Sequence, residues 1–181
     1  MPPVRPPALG LSRRKIRHAV RDDAEVMREI YNDAVRDTTA SFDTEPRSLA
    51  DQVSWLEHHD RRHPVLVVEV DGKVAGWASL SPWSERRAYD GTAEISVYVA
   101  TPWRNQGLGR ALISRILSEA VQCGLHTVLA RVTEGNPVSR ALHLSAGFTS
   151  VGVMHEVGYK FNRFLDVELM EFHIVLPAAS D

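Results

Sequence analysis

Glu94-Ile95-Ser96-Val97-Tyr98-Val99-Ala100-Thr101-Pro102-Trp103-Arg104-Asn105-Gln106-Gly107-Leu108-Gly109-Arg110 is the segment on which the reading of this chain turns. Its first half alternates as a strand does, and places Glu94, Ser96 and Tyr98 on one face. Its second half ends in two glycines where a helix begins, because Ala111, Leu112, Ile116, Leu117 and Ala120 continue with helical spacing. Glycines there let a ligand approach the backbone, and the free N–H groups of a first helical turn attract phosphate. Arg104 and Arg110 add positive charge on either side. On spacing alone, anion binding competes evenly with a glycine-permitted sharp turn. A P-loop would need Lys followed by Ser or Thr, where Arg110-Ala111 stands. A dinucleotide fingerprint would need a third glycine at position 112, which is Leu.

Working outward, Lys15–Val20 alternates as a first strand, and Asp22 or Asp23 can cap a helix carrying Val26, Ile30 and Val35. Thr38–Pro46 is expected as a loop, followed by a second helix starting near Ser48. Val65–Val70 and Lys73–Leu80 flank Asp71-Gly72, a hairpin signal. Beyond the long helix, which Gly124 stops, come a strand over Thr127–Val132 and a helix over Asn136–Ser145. Val151–Val157 and Leu165–Val175 are expected as two final strands. The order βααβββαβαββ implies a single α/β (mixed α+β) domain with both hairpins and a βαβ crossover. We expect that domain over 13–177, after a disordered proline-rich lead over 1–12 and before a tail over 178–181.

The 181 residues, net charge of -2 and absence of a long basic run exclude two large domains and give no sign of a nucleic-acid partner. No apolar stretch approaches a membrane span. One cysteine, Cys123, allows no internal disulfide, and a cytoplasmic location fits. The eight histidines show no metal-ligand spacing, so no metal is expected. Trp55 and Trp77 fall in regular elements and are expected in the core.

Several side chains invite chemistry. Glu94 is a carboxylate within an apolar strand, where a partly apolar cleft would raise its proton affinity and suit it to general-base work. Asn136, Ser139 and His143 share one helix face, and His143 could relay or donate a proton. Arg86 and Tyr89 precede the Glu94 strand, and a guanidinium there could grip a carboxylate or phosphinate. Against each stands a plain reading: a solvated glutamate, a structural histidine, a surface arginine.

Arg104-Asn105-Gln106-Gly107-Leu108-Gly109 resembles the acyl-CoA signature of the GNAT superfamily of N-acetyltransferases. Phe42-Asp43-Thr44-Glu45-Pro46, Trp83, Ala88-Tyr89-Asp90, Thr92-Ala93-Glu94, Val97-Tyr98-Val99 and Gly158-Tyr159-Lys160 resemble phosphinothricin and methionine sulfoximine acetyltransferases. The similarity spans about Ile30 to Pro177. It implies a central, mixed but mostly antiparallel sheet with splayed central strands, flanked by helices. It also implies acetyl-CoA as co-substrate, pantetheine along Val97 and Val99, and pyrophosphate on the turn from Gln106 through Gly107, Leu108 and Gly109 to Arg110, with Arg104 beside it.

By the same resemblance Asn136 contacts the CoA arm, where Ser139 either helps or caps the helix. Glu94 is the general base and His143 a second catalytic group, with Tyr159 an alternative acid. Phe42, Thr44, Trp83, Arg86, Tyr89 and Tyr159 surround a small amino-acid-like acceptor, and the resemblance also implies a homodimer. Ser84 stands where phosphinothricin-acetylating relatives tend to carry lysine, and Arg87 replaces a neutral residue, so the basic grip is rearranged. Other amines (a polyamine, an aminoglycoside, a protein N-terminus) or non-catalytic acyl-CoA sensing are the alternatives.

Overall fold

The computed structural model describes residues 13–175. The expected lead over 1–12 and tail over 178–181 lie outside the described residues. Seven strands form one sheet in the order β1-β2-β3-β4-β5-β7-β6. They are β1 (Arg14–His18), β2 (Val65–Val70), β3 (Lys73–Pro82), β4 (Thr92–Val99), β5 (Thr127–Thr133), β6 (Thr149–Lys160) and β7 (Arg163–His173). Every neighbouring pair is antiparallel except β4–β5, which is parallel. The helices are α1 (Ala24–Asp37), α2 (Leu49–Glu57), α3 (Leu108–Gln122) and α4 (Pro137–Ser145). This is the expected element order and the expected mixed sheet.

The sheet is covered on both faces at β2, which therefore reads as an apolar run broken only by Glu69 instead of alternating. Leu66, Val68 and Val70 join the core built with α3, where Leu112, Ile113 and Ile116 are fully buried. Val65 and Val67 join a second core with Met27, Ile30 and Val35 of α1 and with Trp77. Trp77 is core as expected, and Trp55 packs against the same cluster.

Asp71 and Gly72 turn the β2–β3 hairpin with φ of 51° and 79°. Ser48 caps α2 by accepting from the Asp51 N–H. Asp23, expected as a cap, does otherwise: its carboxylate takes the Arg17 guanidinium at 2.6 and 2.8 Å and the Val20 N–H at 2.8 Å. It thereby ties β1 to the start of α1, and β1 stops at His18 rather than reaching Val20. β6 is longer than expected, and β7 starts and ends two residues earlier than expected. They run up to a two-residue turn at Phe161 and Asn162, both at positive φ. A phenylalanine seldom takes that conformation, so Asn162 alone is left to signal the turn.

Candidate active site

The parallel pairing of β4 and β5 is brief. Thr92, Ala93 and Glu94 face Thr127, Val128 and Leu129, and the register ends there. Beyond it β4 remains paired to β3 through Val99, and β5 to β7 through Thr133. Each strand therefore has one satisfied edge and one open edge, and the two open edges diverge. Open backbone groups require partners. They border a cleft of about 1540 Å³ that Val97, Val99, Gly107, Gly109, Asn136 and His143 also line. Val99 differs from its neighbours, because its carbonyl already accepts from Arg104 Nε at 3.1 Å.

The glycine turn lies at the cleft. Gly107 precedes α3 in left-handed conformation, φ 79°, and Ala111 N–H makes the first helical bond, to the Gly107 carbonyl. The amides of the first turn before Ala111 are left for an external acceptor. Gly109 is closely hemmed: an added Cβ would stand 3.0 Å from Leu142 Cδ2 on α4. Arg104 and Arg110 line the cleft. Leu108 contributes backbone only, its side chain being buried in the core. Gln106 turns its amide to the Pro102 carbonyl at 3.3 Å, while its own carbonyl accepts from Arg14.

Glu94 lines the cleft but lacks the apolar setting expected of it. Arg131 of β5 holds both its carboxylate oxygens, at 2.7 and 2.5 Å. Glu94 pairs opposite Leu129, and Arg131 comes two residues later on the same face. The Arg131 guanidinium also lies 5.6 Å from the Trp83 ring centroid. Arg131 went unrecognised in the sequence, where it reads as an ordinary outward position of a strand.

His143 is buried, and burial lowers its proton affinity below the ordinary histidine value. Its Nδ1 lies 2.8 Å from the Ser139 carbonyl. A carbonyl only accepts, so Nδ1 carries the hydrogen and Nε2 the lone pair. A neutral imidazole so oriented accepts at Nε2 first and can donate only after taking up a proton, which is the order a relay requires. Asn136 caps α4, accepting the Ser139 N–H at 3.2 Å.

The loop between α1 and α2 forms another wall. Phe42 lines the cleft with its ring over Gly158. Lys160, buried, donates to the Thr38 and Ser41 carbonyls at 3.0 and 2.7 Å. Tyr31 donates to Asp43 at 2.6 Å, and burial beside that carboxylate pushes its hydroxyl up to about 12.

Four expected acceptor contacts are not brought to the cleft wall. Thr44, Arg86 and Tyr89 are exposed outside it, and Tyr159 is exposed and packs on Phe164. Trp83 reaches it only through Arg131. Cys123 lies in a separate cleft with His18, His59 and His63, its thiol pushed up by burial. Among the described residues no group of His, Cys, Asp or Glu gathers as a metal site, and no helix is long and apolar enough to cross a membrane.

Residues 27–148 match the Acetyltransferase (GNAT) family. The chain is 39% identical to an L-methionine sulfoximine/L-methionine sulfone acetyltransferase of Salmonella typhimurium, over 92% of this chain and 98% of that one. It is 35% identical to a phosphinothricin N-acetyltransferase of Streptomyces viridochromogenes, over 91% of this chain and 90% of that one. An acetyltransferase structure from Salmonella typhimurium, solved with acetyl-CoA, superposes with a TM-score of 0.88 at 38% identity. It covers 94% of this chain and 99% of that one.

Proposed function

Because the chain belongs to the GNAT family of acetyltransferases, we propose that it acetylates the α-amino group of a small amino acid, using acetyl-CoA and Glu94 as general base. The acceptor is methionine sulfone, methionine sulfoximine, phosphinothricin or a related L-amino acid. The observation that carries this reading is the cleft itself: open strand edges and an amide-lined glycine turn share one space with a carboxylate–guanidinium pair. The relatives' acceptors support the choice of amine.

The residues fit an acyl-CoA. The open edges of β4 and β5 can pair with the amides of pantetheine, and the first turn of α3, with Arg104 and Arg110, can hold pyrophosphate. When bound, acetyl-CoA supplies a thioester open to attack by an amine. The protein's own part is binding and proton traffic. An amino acid arrives as an ammonium ion and sheds one proton to become a nucleophile and a second on becoming an amide. Glu94 takes the first, directly or through water. His143 Nε2, the free lone pair of a neutral imidazole, is the candidate acceptor for the second, which it would pass on to the CoA thiolate released as the carbon–sulfur bond breaks. Phe42, Val97 and Val157 give the cleft an apolar lining that limits water.

A protein N-terminus or a polyamine carries no carboxylate beside its amine, and so makes no use of Arg131. We place the enzyme in the cytoplasm as a homodimer. The β6–β7 hairpin exposes Val151, Val153, Val157 and Phe164, apolar surface that a second copy would cover, and sedimentation equilibrium tests this.

The deciding assay is thiol release from acetyl-CoA with L-phosphinothricin, L-methionine sulfone, L-methionine sulfoximine and spermidine. Turnover is expected with the amino acids and not with spermidine, and Glu94→Gln should lower kcat about 100-fold. Turnover with spermidine alone, or with none despite CoA binding, would overturn the substrate. Full turnover by Glu94→Gln would overturn the base.

A further inference from the structure

The Glu94–Arg131 fork raises a difficulty, since a base clamped at both oxygens by a guanidinium is not free to receive an ammonium proton. The surroundings of Arg131 suggest how the clamp opens. Its side chain is half exposed while that of Glu94 is mostly buried, so the arginine is the mobile partner. Other cleft cations are engaged elsewhere: Arg104 bonds the Val99 carbonyl, Arg163 pairs with Glu134, and Arg110 flanks the glycine turn. Arg86, expected to grip the acceptor, is exposed outside the cleft.

Resting on the reading of the chain as an amino-acid acetyltransferase, we propose that Arg131 recognises the acceptor's α-carboxylate. The acceptor binds by exchanging ion pairs: its ammonium takes Glu94 and its carboxylate takes Arg131. An α-amino acid carries both charges on one carbon, with signs opposite to those of the protein's pair. It can therefore satisfy both side chains at once and leave no buried charge unpaired. The Trp83 face supports the guanidinium as it turns. Specificity and activation then coincide, because only an amine that brings its own neighbouring anion frees Glu94. An amine without one leaves the fork closed.

The test compares L-methionine sulfone with its α-carboxamide, by calorimetric binding to the CoA complex and by kcat/KM with acetyl-CoA. The wild-type protein should prefer the acid about 10- to 100-fold in both measurements, as expected for loss of a charge-assisted contact. Arg131→Gln should bring the ratio near unity with CoA affinity unchanged, and Arg131→Lys should restore part of it. A preference that survives in Arg131→Gln overturns the proposal, as does a wild-type protein that binds both compounds equally or neither. Preferential binding of the acid without acetylation would leave Arg131's role standing and sink the proposed reaction. If Arg131→Gln fails to bind CoA, Arg131→Met decides on the same two measurements, and a wild-type preference in that variant counts against the proposal.

Discussion

The ring of Phe42 rests on the backbone of Gly158 so closely that any side chain at that position would push the ring aside. A Cβ built on Gly158 would stand 2.7 Å from Phe42 Cζ and nearer still to Cε2. One glycine of β6 thus sets where the loop between α1 and α2 lies over the cleft.

Gly158→Ala should expel the ring from its seat. We expect a loss of about 1–3 kcal/mol, read by urea denaturation, and a raised KM for the acceptor. Adding Phe42→Ala should return most of the stability, because the clash has gone, but not the acceptor KM. Equal stability losses in the single and double variants would show that the contact is immaterial.

Lys160 fastens the same loop through two backbone carbonyls. Lys160→Met keeps the length of the side chain and leaves both carbonyls without that donor, at a cost of about 3 kcal/mol. Steady-state kinetics should show a higher acceptor KM and an unchanged acetyl-CoA KM, since the glycine turn belongs to another element.

Burial lowers the proton affinities of His143 and His59 below the ordinary histidine value of 6.5. The unfolded chain therefore binds more protons than the native one just below that pH, so stability rises with pH through this window and is lost as pH falls beneath it. Thermal melts between about pH 5 and 8 should show the decline, and His143→Asn should flatten it in part. A wild-type melting temperature indifferent to pH across that range would contradict the burial of both rings as neutral groups.

Gly107 and Gly124 both hold positive φ, at 79° and 70°, with open space where a Cβ would go. Each Ala substitution should cost about 1–2 kcal/mol through backbone strain alone. Only Gly107→Ala should raise the acetyl-CoA KM, because Gly124 ends α3 away from the cleft. A matching rise in Gly124→Ala would mean that general stability, and not the turn, governs the effect.

The order of elements could be read locally because each carries its own period or punctuation: Asp71-Gly72 for a hairpin, Gly107-Leu108-Gly109 for a helix start. What escaped reading depends on distant pairing. Arg131 gains its meaning from a carboxylate 37 residues earlier in the chain, brought alongside by the short parallel register. Arg86 is the opposite case: a suitable group in a suitable loop, but exposed outside the cleft lining. Phe161-Asn162 hid a turn behind a phenylalanine, which seldom takes positive φ. For Glu94 the strand and face were legible while its guanidinium partner was not.

Two open strand edges within a fold are a hazard as well as an opportunity, since bare edges recruit strands from other chains and seed aggregates. Here the wedge between β4 and β5 is fenced by Phe42 on one side and by Ser139 and Leu142 of α4 on the other. A polypeptide entering it would carry substituents on both faces into those fences. A thin, unbranched chain of amides would not. By this geometry the gap would select by girth, favouring a peptide-like thread over a peptide.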